Sequence, residues 1–172
     1  MNIVLIGYRG TGKSVVGRIL ADQLAMTYIG MDEEIVKKAG ASVPEIVEKQ
    51  GWKGFRDMES EVAREAADKD NVIIDTGGGV IERQENIDVL RKNGLVFWLK
   101  ASVDVIVSRI SGDDQRPALT GGKSFTDEVS EVLERRIPRY REAAHYEIDT
   151  DAISPAQVAQ AVIDIWTREK DE

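Results

Sequence analysis

The chain has no cysteine and only one histidine among its 172 residues. Without cysteine there is no disulfide framework, and no Cys-ligated zinc or iron–sulfur cluster. Positive charge is also in short supply: 23 Lys and Arg stand against 31 Asp and Glu, a formal charge of -8. That balance argues against a general binder of nucleic acid or of membrane surfaces, and leaves room only for a local basic pocket. No apolar run reaches the length needed to cross a bilayer. The opening MNIVLIGYRG lacks a basic leader and a cleavable signal pattern, so a cytoplasmic location is the expectation. Internal repeats, low-complexity segments and linkers are missing as well, and the length suits one domain spanning 1–172.

What is present is an ordinary globular composition, 42% hydrophobic and 31% charged, arranged in alternating periods. NIVLI (Asn2–Ile6) is a continuous apolar run, as in a strand buried on both faces. From Lys13 to Ala25, Val16, Ile19, Leu20 and Leu24 recur at helical spacing. Further strands are expected at Thr27–Gly30, Val72–Ile74, Leu95–Leu99 and Tyr146–Asp149. Helices are expected around Ile35–Ala39 and Pro44–Lys49, then over Phe55–Asp68, Ile87–Lys92, Val103–Ile110, Thr126–Glu142 and Pro155–Arg168. Ser111–Ser124 has glycines, a proline and no periodicity, and reads as a loop. Strands alternating with helices predict an α/β domain with a parallel sheet covered on both faces.

GYRGTGKS (Gly7–Ser14) matches G-x-x-x-x-G-K-[ST] in full, after a strand and at the start of a helix. Glycines let such a loop wrap closely and aim backbone N–H groups inward, and the helix N-terminus adds partial positive charge. The loop assigns nucleotide contacts to Gly10, Thr11, Gly12, Lys13, Ser14 and Val15. Lys13 is placed to reach the β- and γ-phosphates of a nucleotide, and Ser14 to ligate Mg2+. An Asn-Lys-x-Asp guanine motif is missing.

Beyond the loop stand Asp32 after the second strand, GFR (Gly54, Phe55, Arg56) with Glu59 one turn on, TGGG (Thr76–Gly79), RP (Arg116, Pro117) and Arg136 ahead of Pro138 and Tyr140. Together with the loop, these features resemble the shikimate kinase family. Their order and spacing fit from Met1 to about Trp166. The resemblance implies a P-loop NTPase fold, three-layer αβα, with a five-stranded parallel sheet in order 2-3-1-4-5. It implies a substrate-binding segment at about 31–60 and a mobile lid at about 111–124. It also implies transfer of the γ-phosphoryl of ATP, with Mg2+, to the 3-hydroxyl of shikimate in aromatic amino acid biosynthesis. Two alternatives stay open: a kinase for another small hydroxy acid, and a nucleotide-binding regulator without turnover. A monomer is expected, since no coiled-coil heptads appear.

The resemblance assigns carboxylate binding to Arg56 and Arg136, and Gly78 to the glycine whose N–H faces the ligands. An arginine fork suits that carboxylate, because it can form two parallel charge-assisted bonds. Arg136 also falls within the inward arc of Val129, Val132, Leu133, Ile137 and Tyr140, where a charge needs a partner; Glu131 and Glu134 are the helix neighbours on offer. Arg56 can pair with Glu59 at i,i+3 and still face a ligand. Asp32 matches the aspartate that holds the reacting hydroxyl, and equally suits a helix N-cap before EEIVKK. Arg116 matches a lid arginine closing over the phosphates; a solvated loop arginine is the alternative. Arg109 and Pro155 match positions flanking adenine, and equally suit a helix surface and a helix N1 site. His145 reads as structural or exposed.

One departure stands out. The family usually carries Asp-x-Asp after the second strand, the first aspartate serving the metal; here the stretch is Gly30, Met31, Asp32. Meanwhile Val72–Ile74 ends in Asp75, where the family more often has a small uncharged residue. Apolar residues ending in aspartate beside a P-loop have the form of a Walker B strand. Asp75 is therefore a candidate metal-side carboxylate with Ser14. The alternatives are a bond to Thr76 or a nearby turn, or a pair with Lys13 or an arginine.

Overall fold

A computed structural model describes residues 1–110 and 124–172. The strands are β1 (Asn2–Ile6), β2 (Thr27–Gly30), β3 (Val72–Asp75), β4 (Gly94–Lys100) and β5 (Tyr146–Asp149). They form one sheet in the order β2-β3-β1-β4-β5, and every pairing is parallel. The helices are α1 (Lys13–Leu24), α2 (Met31–Ala39), α3 (Val43–Ala67), α4 (Gln84–Lys92), α5 (Val103–Ile110), α6 (Phe125–Ala143) and α7 (Pro155–Asp171). A 3-10 turn at Val80–Glu82 follows β3.

The continuous apolar runs are explained by two separate cores. Successive side chains of a strand point to opposite faces. Ile3 and Leu5 of β1, Ile73 of β3 and Phe97 and Leu99 of β4 pack with α1 and α7. Val4 and Ile6, Ile74, Val96 and Trp98 pack on the other face, against α3, α4 and α6. Both faces of the sheet are therefore dry, which an amphipathic alternating strand could not achieve.

The expected elements are present, with differences at helix ends. The helix expected from Ile35 begins at Met31, directly after β2, with Gly30 as its N-cap. The segments expected at Pro44–Lys49 and Phe55–Asp68 are joined as α3, which bends at Gly51 (φ 71, ψ 177). That left-handed φ favours glycine, so the kink is written in the sequence by one residue.

Parallel strands end on the same edge of the sheet. The phosphate loop after β1, the β2–α2 junction and the TGGG turn after β3 therefore share that edge. In open α/β sheets this is where ligands bind.

Candidate active site

The loop Gly7–Ser14 leaves β1 and turns sharply into α1. Gly10 (φ 82) and Gly12 (φ 90) take left-handed backbone conformations, and Gly12 is the N-cap of α1. A β-carbon on Gly10 would lie 2.5 Å from Ile110 Cγ2, so the loop also needs glycine there for space. Thr11 is buried, and its hydroxyl donates to the Tyr8 carbonyl at 2.8 Å, which fixes the turn. The first turn of α1 carries no acidic side chain, so the positive end of the helix dipole stays available to an anion. The Lys13 ammonium is buried and donates to the carbonyls of Gly7 (2.7 Å) and Tyr8 (3.0 Å).

An open cleft of about 280 Å³ lies over this loop. Gly10, Gly12, Lys13, Ser14 and Val15 line one side. Gly30, Asp32, Asp75 and Gly78 line the other. Asp32 lies in the first turn of α2 and not at its N-cap, which is Gly30. Asp75 ends β3 and is buried; it accepts from the Ser14 hydroxyl at 2.7 Å and from the Tyr28 hydroxyl, both on Oδ2. Burial and the bond to Asp75 hold the Tyr28 phenol well above its ordinary pKa, so it remains a donor.

The glycines after Asp75 make room for arginines. A β-carbon on Gly79 would lie 2.3 Å from Arg56 Nη2. One on Gly78 would lie 3.3 Å from the Arg9 backbone nitrogen and 3.5 Å from Arg136 Nη1. The TGGG turn thus touches the phosphate loop on one side and both predicted carboxylate-binding arginines on the other. Arg56 pairs with Glu59 at 2.9 Å, as the i,i+3 spacing predicts, and its guanidinium lies 5.3 Å from the Trp52 ring. Arg136 is almost fully buried. Its partner is Glu82 of the 3-10 turn, through Nε at 3.0 Å, in place of the expected Glu131 or Glu134. Burial alone would raise the Glu82 pKa, but Arg136 prevails and holds it below the ordinary value. The Tyr140 hydroxyl donates to the Gly78 carbonyl and anchors the turn to α6.

Arg109 is more than a surface residue. It donates to the Gly10 carbonyl at 3.1 Å and to Thr150 Oγ1 at 3.4 Å, tying the loop to the end of β5. Pro155 is exposed at N1 of α7, behind a Ser154–Gln157 capping box. Arg116 and the expected lid lie outside the described residues, apart from Ser124, the N-cap of α6.

The sequence model of the family described as Shikimate kinase matches residues 9–167. The chain belongs to the shikimate kinase family. The match takes in most of the loop, the arginines and most of the closing helix. Among curated relatives, a shikimate kinase of Thermodesulfovibrio yellowstonii is 40% identical over 97% of this chain and 95% of its own. One of Caldicellulosiruptor bescii is 37% identical, over 95% of this chain and 94% of its own. The solved shikimate kinase from Acinetobacter baumannii in complex with shikimate superposes with a TM-score of 0.94 at 35% identity, covering 99% of this chain and 95% of that one. Members of the family are ATP-dependent kinases, and this chain is one.

Two residues of the site escaped the sequence reading. Tyr28 could have been found, because it shares a strand face with Gly30 at i,i+2. Glu82 carried no local signal, since its partner is 54 residues away.

Proposed function

We propose that the protein transfers the γ-phosphoryl of ATP to the 3-hydroxyl of shikimate, giving ADP and shikimate 3-phosphate. The observation that carries this reading is the crowding at Gly78. The phosphate loop backbone and the Arg136 guanidinium both lie against that residue, so a donor phosphate and a carboxylate-bearing acceptor would meet there. The naming of relatives as shikimate kinases supports the acceptor.

The roles follow from chemistry. The amides of Gly10, Thr11, Gly12, Lys13, Ser14 and Val15 cradle the phosphates, with Lys13 neutralising charge as it develops on the transferred group. Arg109 and Pro155 flank the adenine. Arg56 and Arg136 clamp the shikimate carboxylate, and the Gly78 N–H faces both ligands. Asp32 orients the reacting hydroxyl and takes its proton late; phosphoryl transfer rests on positioning more than on a strong base. The family resemblance assigns Arg116, which lies outside the described residues, to the phosphates, where its charge would offset that of the transferred group. The segment at about 31–60 forms the acceptor side.

Ser14 and Asp75 fit a magnesium ion. Both present oxygen, and the Ser14 hydroxyl keeps its lone pairs while donating its proton to Asp75. Among the described residues no group of three or more His, Cys, Asp or Glu side chains is placed to hold a metal. Mg2+ keeps several waters and commonly takes one or two protein carboxylates, so one carboxylate and one hydroxyl can serve it. Bound there, Mg2+ would offset the charge of the β- and γ-phosphates. We read the protein as a cytoplasmic monomer acting on small molecules alone. No helix among the described residues is long and apolar enough to cross a membrane.

The deciding experiment is ADP release from MgATP by purified protein, with and without shikimate. Shikimate-dependent release is expected. ATP binding without stimulation by shikimate would reject the acceptor.

A further inference from the structure

Gly30 and Asp75 are direct partners in the β2–β3 ladder. One strand end carries no side chain where its neighbour carries a carboxylate. The space above Gly30 is filled from two directions. A β-carbon there would lie 3.1 Å from the Tyr28 hydroxyl, 3.2 Å from Glu33 Cδ and 3.3 Å from Tyr28 Cε1. Such contacts are tighter than side chains normally accept, so even the first carbon of a longer residue would press on the phenol.

The Tyr28 ring is itself held in place. A β-carbon on Gly17 of α1 would come within 2.9 Å of Tyr28 Cε2, so α1 is cut away to admit the ring. The Arg18 guanidinium covers it at 4.4 Å from the centroid, and Arg18 is in turn paired with Glu33 at 2.9 Å. Two glycines, a cation and a carboxylate thus fix one phenol, and its hydroxyl donates to Asp75 Oδ2. Ser14 donates to the same oxygen. Two donors from different elements on one carboxylate oxygen fix the rotation of that carboxylate.

We infer that Tyr28 is a positioning residue for the metal-side carboxylate: its phenol takes up the space above Gly30 and orients Asp75 on the adjacent strand toward Ser14. The inference rests on the reading that Ser14 and Asp75 hold Mg2+. Packing does not require the hydroxyl. Phenylalanine would keep the ring between Gly17 and Arg18, and would remove the hydroxyl with its bond to Asp75. Tyr28→Phe therefore isolates the orienting role from the structural one.

The test uses Mn2+ as a spectroscopic stand-in, titrated into the ADP complex and followed by electron paramagnetic resonance. Outer partners of metal ligands commonly contribute a factor of about 10–100 in metal affinity. Tyr28→Phe is expected to weaken Mn2+ about tenfold and Asp75→Asn about a hundredfold. The double variant should bind no more weakly than Asp75→Asn alone, because the phenol acts through that carboxylate. In turnover, Tyr28→Phe should raise the Mg2+ needed for half-activation and leave the shikimate KM unchanged. Unchanged Mn2+ affinity in Tyr28→Phe, alongside weakened binding in Asp75→Asn, would overturn the role of Tyr28 and keep the metal reading. Unchanged affinity in Asp75→Asn would overturn both. Additive losses in the double variant would show that Tyr28 acts on the metal by another route, and would also reject the inference.

Discussion

The Arg56 guanidinium lies flat against Gly79, so close that a β-carbon there would sit 2.3 Å from one of its nitrogens. Gly79 itself has φ -98 and ψ 13, which alanine tolerates. The glycine is needed for the arginine and not for the backbone. Arg56 is the softer neighbour, since a long side chain can swing where a backbone cannot. Gly79→Ala should therefore fold normally while displacing Arg56 from Glu59. The shikimate KM should rise at least about tenfold, equivalent to about 1.4 kcal/mol. The MgATP KM should stay near its original value. Equal increases in both would show a general collapse of the turn.

Glu82 holds Arg136 by Nε, which leaves the two-nitrogen end of the fork next to Gly78. Glu82→Gln keeps the shape but removes the charge that fixes the guanidinium. The expected result is a rise of about tenfold in the shikimate KM, with kcat falling less. Arg136→Met should be harsher: a charge-assisted clamp is lost, and Glu82 is left without its main cation. Breaking a fully buried pair costs about 3–5 kcal/mol, but the Glu82 side chain keeps 29% exposure and can rehydrate, so about 2 kcal/mol is the better expectation. Thermal melts of both variants, beside steady-state kinetics, separate the two effects.

These pairs show where sequence reading works on this fold. The phosphate loop is legible because strand, glycine turn and helix start are contiguous, and each constrains its neighbours. The Arg56–Glu59 pair is legible because helix geometry makes i,i+3 a contact. The Arg136–Glu82 and Tyr28–Asp75 contacts join segments 54 and 47 residues apart, and no local periodicity encodes them. The same holds for the two-faced sheet. A continuous apolar run announces burial on both sides, but which helix covers which face follows from crossover geometry. Asp75 could be singled out as unusual from the sequence. That Gly30 stands opposite it in the ladder required the register.

Arg109 joins the Gly10 carbonyl of the phosphate loop to Thr150 at the end of β5. Its loss would free a loop whose left-handed glycines gain much freedom when untethered. Arg109→Ala is expected to raise the MgATP KM about threefold to tenfold, since roughly 1 kcal/mol of preorganisation would be lost. The shikimate KM should not follow. A variant with unchanged ATP affinity would mean that Gly10 is held by its packing on Ile110 alone.

His145 supplies a pH dependence far from the site. Its Nδ1 accepts from the Val96 N–H at 2.9 Å, and the His145 backbone N–H donates to the Val96 carbonyl at 2.8 Å, joining the residue before β5 to β4. Burial, then the nearby Arg91 cation, lowers its pKa below the ordinary 6.5. The folded protein therefore resists protonation that the unfolded chain accepts. Below pH 6.5 the unfolded state binds more protons, so stability falls with pH until the folded-state pKa is passed; above 6.5 the contribution is complete. A protonated Nδ1 cannot accept, and one lost hydrogen bond of about 1 kcal/mol lowers the melting temperature of a chain this size by about 2–4 °C. His145→Asn retains an acceptor that does not titrate. Melts between pH 5 and 7.5 should slope in the parent protein and flatten in the variant over the part of that range below 6.5. Equal slopes would place the titration on another group.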